Sequence, residues 1–261
     1  MSKMSGNAFA LSAEAVSRFA EHGLALQIVE ETGSTNDDLK AVLRAGAVST
    51  ASTKVLVARR QTAGRGTRGH RWQSITDAMI FSLAFSQVPV DSTVSLRVGI
   101  AVAQTFRALL GIGLALKWPN DLWYQEAKVG GILSEMVQEP QGTMGLVVGI
   151  GINLCVPERL QLEKWALDGL VDDRNFLLNV NWDTVFLSLC EAISSAVKQP
   201  TFSFVEEWPY YDAFRDARLE LELPSGRITG YNRGISASGC LLVETEQAIL
   251  DVSNGSILKK L

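Results

Sequence analysis

Apolar positions recur along this chain with two different periods, and the switches between them mark out its elements. Residues Ser12 to His22 carry helical spacing and predict a short amphipathic helix, followed by the strand Leu26-Gln-Ile-Val29. Ser34-Thr-Asn-Asp37 has the spacing of a capping box and predicts a helix to about Arg44, stopped by Gly46. The runs Val55–Ala58 and Met79–Phe85 predict strands on either side of a glycine-rich loop. Thr93 to Leu110 carries a long apolar stripe at helical spacing and ends at Gly111. Strands are expected at Ala115–Trp118, Gly131–Met136 and Gly145–Ile150, then helices over 183–197 and from Phe204 to Phe214. From Arg218 onward short apolar runs are punctuated by Pro224-Ser-Gly226, Gly230, Gly234, Gly239 and Asn254-Gly255. That rhythm predicts a small β-barrel.

Composition narrows the classes. The 261 residues are 47% hydrophobic and 20% charged, enough for one large core and a small second one. A formal net charge of −4 argues against a nucleic-acid binder, which needs a basic footprint. Cys155, Cys190 and Cys240 are odd in number, far apart and set in apolar sequence, so they read as buried thiols in a reducing, cytoplasmic setting. His22 and His70 are the two histidines, and no Cys/His cluster has the spacing of a structural zinc site. No apolar run approaches the length that spans a membrane, and Met1 to Asn7 has no apolar signal region.

The chemistry concentrates in Gln61-Thr-Ala-Gly-Arg-Gly-Thr-Arg-Gly-His-Arg-Trp72. Gly64, Gly66 and Gly69 are expected to take φ > 0 and bring backbone N–H groups to a ligand, while Arg65 and Arg68 grip phosphate or carboxylate oxygens as forks. The letters Gly64-Arg-Gly-Thr-Arg-Gly69 spell a dinucleotide fingerprint, but that motif needs a helix starting inside the glycines, and none is predicted. A disordered arginine-glycine tail is excluded by the loop's brevity and its flanking strands, which leaves a plain solvated turn as the bland alternative. Four further segments join it. Lys117-Trp-Pro-Asn-Asp121 turns out of a strand at Pro119, Lys128-Val-Gly-Gly-Ile-Leu133 places a lysine ahead of a double glycine, Gly149-Ile-Gly-Ile-Asn153 closes an apolar strand, and Ser34-Thr-Asn36 offers hydroxyls and an amide.

Taken in order, these five segments resemble the biotin protein ligase family from about Leu26 to the C-terminus. The resemblance implies an α+β fold, with a mixed-sheet catalytic domain over residues 1–215 and a small SH3-like barrel over 216–261. With about 25 residues ahead of the first core strand, the N-terminal DNA-binding domain of some members is not expected. The family's reaction joins biotin to ATP as biotinyl-5′-AMP, then passes biotin to a lysine of a biotin carboxyl carrier domain. The resemblance assigns Lys128, Arg65 and Lys117 to catalysis. Biotin would contact Ser34, Thr35, Asn36, Gln61, Gly64, Arg65, Gly66, Thr67, Lys128, Gly131, Gly149 and Gly151. ATP would contact Arg68, Trp72, Lys117, Asn120, Asp121, Asn153 and Lys260, with Asp121 also a ligand for Mg²⁺.

Two readings compete with this one. A lipoate or octanoyl ligase or transferase shares the fold, and a non-catalytic module that senses biotin or its adenylate shares the cavity. The full arginine loop favours biotin; release of pyrophosphate separates enzyme from sensor. The chain departs from the family's arginine-rich loop by carrying Thr67 and His70 where further arginines are usual, with Arg71 and Lys260 as possible replacements. No nucleic-acid or membrane partner is expected, and the sequence leaves the oligomeric state open, a homodimer included.

Overall fold

The computed structural model describes residues 7–72, 77–156, 160–161, 166–198 and 204–261. Its strands, in chain order, are β1 (Leu24–Thr32), β2 (Thr53–Gln61), β3 (Asp77–Phe85), β4 (Ala115–Lys117), β5 (Asp121–Tyr124), β6 (Ala127–Gln138) and β7 (Met144–Cys155), with the two-residue β8 (Leu160–Gln161) and β9 (Ala166–Leu167). These build one sheet in the order β1-β2-β3-β7-β6-β5-β4, with β9 beside β6. The β1–β2 pair is parallel and the others on that path are antiparallel, so the sheet is mixed. The helices are α1 (Ala15–Glu21), α2 (Thr35–Arg44), α3 (Val94–Leu110), α4 (Arg174–Leu178), α5 (Trp182–Lys198) and α6 (Phe204–Glu207).

Successive side chains of a strand point to opposite faces, and the core divides accordingly. Met79, Phe81, Leu83 and Phe85 of β3 join Val148, Ile150 and Ile152 of β7 in one large apolar cluster with α3 and α5. The other face packs Leu56, Ala84, Val137 and Val147 against Leu39 and Leu43 of α2. Every residue of β3 is buried because both of its faces are covered, which explains an apolar run from Ala78 to Phe85 that Ser82 alone interrupts. Where α2 begins, this second face is left open, and the candidate site lies there.

A second sheet is formed by β10 (Arg218–Leu223), β11 (Gly226–Ile235), β12 (Leu241–Glu244), β13 (Ile249–Val252) and β14 (Ser256–Lys260). It is antiparallel throughout, in the order β13-β12-β11-β10-β14, and accounts for the short-strand rhythm after Arg218. Trp118 Nε1 donates to Gly239 O (3.0 Å) and the buried carboxylate of Asp212 accepts from Asn232 (2.8 Å), tying this sheet to the first part of the chain.

The helix expected from Phe204 to Phe214 is instead one α-helical turn, followed by a tighter turn over Trp208–Tyr210. Pro209 supplies no N–H to continue the α-helical ladder. Strand β5 was not expected; it begins at Asp121, the last residue of the turn-rich Lys117–Asp121 segment. Cys155 and Cys190 are buried free thiols, whereas Cys240 is only half-buried, because it sits at the turn before β12 and not in the core. No helix of the described residues is long and apolar enough to cross a membrane.

Candidate active site

Strand register explains why three separated glycines act together. Gly131 pairs with Gly151, Leu133 with Gly149, and Ser82 with Gly149, so these residues share the face beside α2. The result is a trough of bare backbone across β6 and β7. It forms the floor of a cavity of about 410 Å³, within the range of small-molecule sites. Neither Gly149 nor Gly151 has room for a methyl group. A Cβ on Gly151 would lie 2.5 Å from the Trp72 ring, and one on Gly149 would collide with the Asn36 amide.

One end of the cavity is a hydroxyl and amide cluster at the start of α2. Ser34 is the N-cap and Asn36 lies in the first turn, with all three of Ser34, Thr35 and Asn36 buried and lining the cavity. The Ser34 hydroxyl accepts from Asp37 N–H at 3.5 Å, one arm of the expected capping box; Asp37 turns its carboxylate to Lys40 and Arg65. Gln61 closes this end by accepting from Thr35 N–H (2.8 Å) and its hydroxyl (3.1 Å). Ser82, fully buried on β3, lies 2.7 Å from Thr35 Oγ1 and 2.6 Å from Asn36 Oδ1. Its single proton belongs with the Asn36 amide oxygen, an acceptor only. Ser82→Ala therefore leaves that oxygen without its donor, and is expected to lower stability by about 1–3 kcal/mol in denaturant titration.

The other end is cationic. Lys128 on β6 lines the cavity and reaches Asp121 Oδ1 at 2.5 Å, while Lys117 on β4 reaches Asp121 Oδ2 at 3.2 Å. Burial pushes the Asp121 carboxyl upward, but Lys128 and Lys117 outweigh it and hold Asp121 below its ordinary range. Two ammonium groups around one carboxylate leave a net positive charge. Both carboxylate oxygens are committed to lysines, so Asp121 does not fit the Mg²⁺-ligand role expected of it: a divalent cation would meet two like charges. Among the described residues no group of three His, Cys, Asp or Glu side chains is placed to hold a metal.

This triad sets a pH dependence. A depressed folded-state pKa contributes stability that is full above the unfolded value near 3.9 and lost as pH falls through the folded one. Asp121→Asn is expected to cost about 3 kcal/mol at pH 7, leaving the buried Lys117 and the half-buried Lys128 without their anion. The variant should also lose less further stability than the wild type between neutral pH and the acid range below 4, as read by melting temperature against pH.

The arginine loop closes over the cavity as an ordered finger. Trp72 N–H donates to Gly64 O (3.0 Å), Gly66 N–H to His70 O (2.7 Å), and Arg65 pairs with Arg71 through the backbone. The expectation of φ > 0 holds at Gly69 (φ +76°) and fails elsewhere. Gly66 is extended (φ −109°, ψ −175°), a conformation open to any residue. Gly64 is needed for closeness instead, since a Cβ there would lie 2.8 Å from Gln61 Nε2. A single 3₁₀ turn over Thr67–Gly69 is the only helical geometry within the loop.

Arg65, Gly66, Thr67 and Trp72 join Asn120 and Lys128 in lining the cavity. The Arg65 guanidinium is already paired, with Asp37 at 2.7 Å and Glu135 at 2.8 Å. Arg71 donates to Thr62 O and lines the cavity, as the uncharged Thr67 does. The Arg68 side chain and residues 73–76 lie outside the described residues. Lys117, Asp121 and Asn153 stand behind the wall; Lys260, on β14 with its side chain exposed, is not among the lining residues. Sequence reasoning missed Ser82, Lys40 and Glu135, which hold the lining residues from behind.

Fold and cavity together define an α+β protein with a cavity that presents hydroxyls and amides at one end and a lysine ammonium at the other. Comparison with known proteins is specific. Residues 30–153 match the biotin/lipoate A/B protein ligase family. A biotin–acetyl-CoA-carboxylase ligase of Mycobacterium tuberculosis is 30% identical over 246 residues, covering 89% of this chain and 88% of the relative. The bifunctional ligase/repressor BirA of Escherichia coli is 29% identical over 209 residues, and this chain spans 64% of its length. The structure of a biotin protein ligase from Aquifex aeolicus in complex with biotin and ATP superposes with a TM-score of 0.73 at 30% identity, covering 88% of this chain and 97% of that one. The chain belongs to the biotin/lipoate A/B protein ligase family.

Proposed function

We propose that this chain is an ATP-dependent biotin protein ligase, which activates biotin as biotinyl-5′-AMP and transfers it to a lysine of a biotin carboxyl carrier domain. The observation that carries the reading is the polarity of the cavity. Hydroxyls and amides of Ser34, Thr35 and Gln61 sit at one end, the Lys128 ammonium stands at the other, and a glycine trough runs between them. A fused ring with a urea group matches the first, a carboxylate the second, and an apolar body the third. A lipoyl or octanoyl chain has nothing to offer the hydroxyl and amide end.

The chemistry follows from where charge gathers. A carboxylate oxygen of biotin attacks the α-phosphorus of ATP, the bond to the bridging oxygen breaks, and pyrophosphate leaves with its electron pair. Two anions must approach each other, so fixed cations at that point lower the barrier. Lys128 supplies one as a point charge held by Asp121, whose other oxygen takes Lys117. Arg65 supplies the other from the loop. Trp72 lines the cavity, and its Nε1 is buried without a hydrogen-bond partner, a donor available to a nucleotide. In the second step the neutral ε-amine of the carrier lysine attacks the acyl carbon of the mixed anhydride, AMP departs, and the amide nitrogen loses its proton.

In the same reading residues 1–215 are the catalytic domain and 216–261 the SH3-like one, and the protein works in the cytoplasm with its three cysteines as free thiols. Incubation with ATP, biotin and a carrier domain should add one biotin to the carrier, seen by mass spectrometry. Labelling with lipoate or octanoate but not with biotin would replace the reading by its nearest rival.

A further inference from the structure

Behind the cavity, Arg65 closes a ring with three charges, Asp37, Lys40 and Glu135, that the proposed chemistry does not use. Arg65 pairs with Asp37 (2.7 Å), Asp37 with Lys40 (2.7 Å), Lys40 with Glu135 (2.8 Å), and Glu135 with Arg65 (2.8 Å). The four belong to three elements: the arginine loop, the first turns of α2, and β6. Glu135 also accepts from Asn36 Nδ2 at 2.8 Å, the amide whose oxygen Ser82 holds. It lies four residues beyond Gly131 on one strand, hence on the cavity face, yet it does not line the cavity. Burial pushes its carboxyl upward, and the bonds from Lys40 and Asn36 with the charges of Lys40 and Arg65 pull it net downward, so it is an anion at neutral pH.

Arg65 is bound to both acids through one nitrogen, Nη2. A guanidinium carries five N–H donors. The ring thus fixes its position while leaving the donors on Nε and Nη1 for the cavity that Arg65 lines. A loop arginine without such anchors would sample many rotamers and lose that freedom on binding.

Resting on the biotin reading above, we infer that Glu135, together with Asp37, is a positioning carboxylate for Arg65: it sets the guanidinium in place before the ligand carboxylate arrives. Two acids balance two cations, so the ring as a whole is neutral: Arg65 meets the ligand through the N–H donors the ring leaves it, and the net positive charge comes from Lys128 and Lys117 around Asp121.

The test is a double-mutant cycle in biotin affinity, measured by calorimetry on wild type, Glu135→Gln, Arg65→Ala and the double variant, with melting temperatures alongside. Glutamine keeps the size of the side chain and removes its charge. Glu135→Gln is expected to weaken biotin binding by about 10-fold or more, the scale of a lost charge-assisted hydrogen bond. If Glu135 acts through Arg65, the double variant binds no worse than Arg65→Ala alone. A merely structural role would instead multiply the two losses. Multiplied losses, or wild-type affinity in Glu135→Gln, would overturn the inference. Should Glu135→Gln fail to fold, half-exposed Asp37→Asn runs through the same cycle and is held to the same outcomes. Absence of biotin binding in the wild type is a different result, and it removes the proposed function itself.

Discussion

Lys128→Ala is expected to slow biotin-dependent pyrophosphate release by on the order of 10²-fold or more, with biotin affinity changed only a few-fold. The lysine stands at the cationic end of the cavity, partly exposed, 2.5 Å from the Asp121 carboxylate that aims it. Its charge matters most when the carboxylate and the α-phosphate are forced together, and less when biotin binds alone. Loss of a group acting mainly in the transition state appears in kcat. The fold should survive, because Asp121 keeps Lys117 as a partner and no buried carboxylate is stranded. Stopped-flow pyrophosphate detection with a melting curve on the same protein separates these effects. A variant releasing pyrophosphate at near wild-type rate would remove Lys128 from the chemistry.

Gly149→Ala is expected to weaken biotin binding by about 100-fold, equivalent to roughly 2.7 kcal/mol, and to cost about 1–3 kcal/mol of stability. The new methyl would sit 2.8 Å from Asn36 Cγ. Asn36 has nowhere to retreat, being held by Ser82, by Leu133 O and by Glu135. Forcing it away breaks the cluster at the closed end of the cavity. Gly113→Ala is the control, since a Cβ there meets nothing within 4 Å. Equal biotin affinity in wild type and Gly149→Ala would show that the trough does not carry the ligand.

The long apolar periods were legible because they answer to burial: α3, α5 and β3 lie where the pattern put them. The glycines of the site were also legible, as letters. Their meaning was not, since Gly131 faces Gly151 only through a register that no local pattern states. The expectation for Gly66 failed for a related reason: composition permits φ > 0 without requiring it, and the loop spends its one left-handed residue at Gly69. Phe204 to Phe214 was readable with more weight on Pro209 as a breaker. Glu135 and Ser82 bond to partners 46 to 99 residues away, beyond the reach of a motif. A signal did exist for Glu135, because counting by twos from Gly131 puts it on the cavity face.

The central claim is that one cavity brings biotin and ATP together for adenylate formation. Its most direct test is pyrophosphate release from ATP by the purified protein, measured with biotin present, with biotin absent, and with lipoate in its place. The account predicts release with biotin alone among these conditions, slowed by on the order of 10²-fold or more in Lys128→Ala. Release that ignores biotin, or that follows lipoate instead, would contradict it.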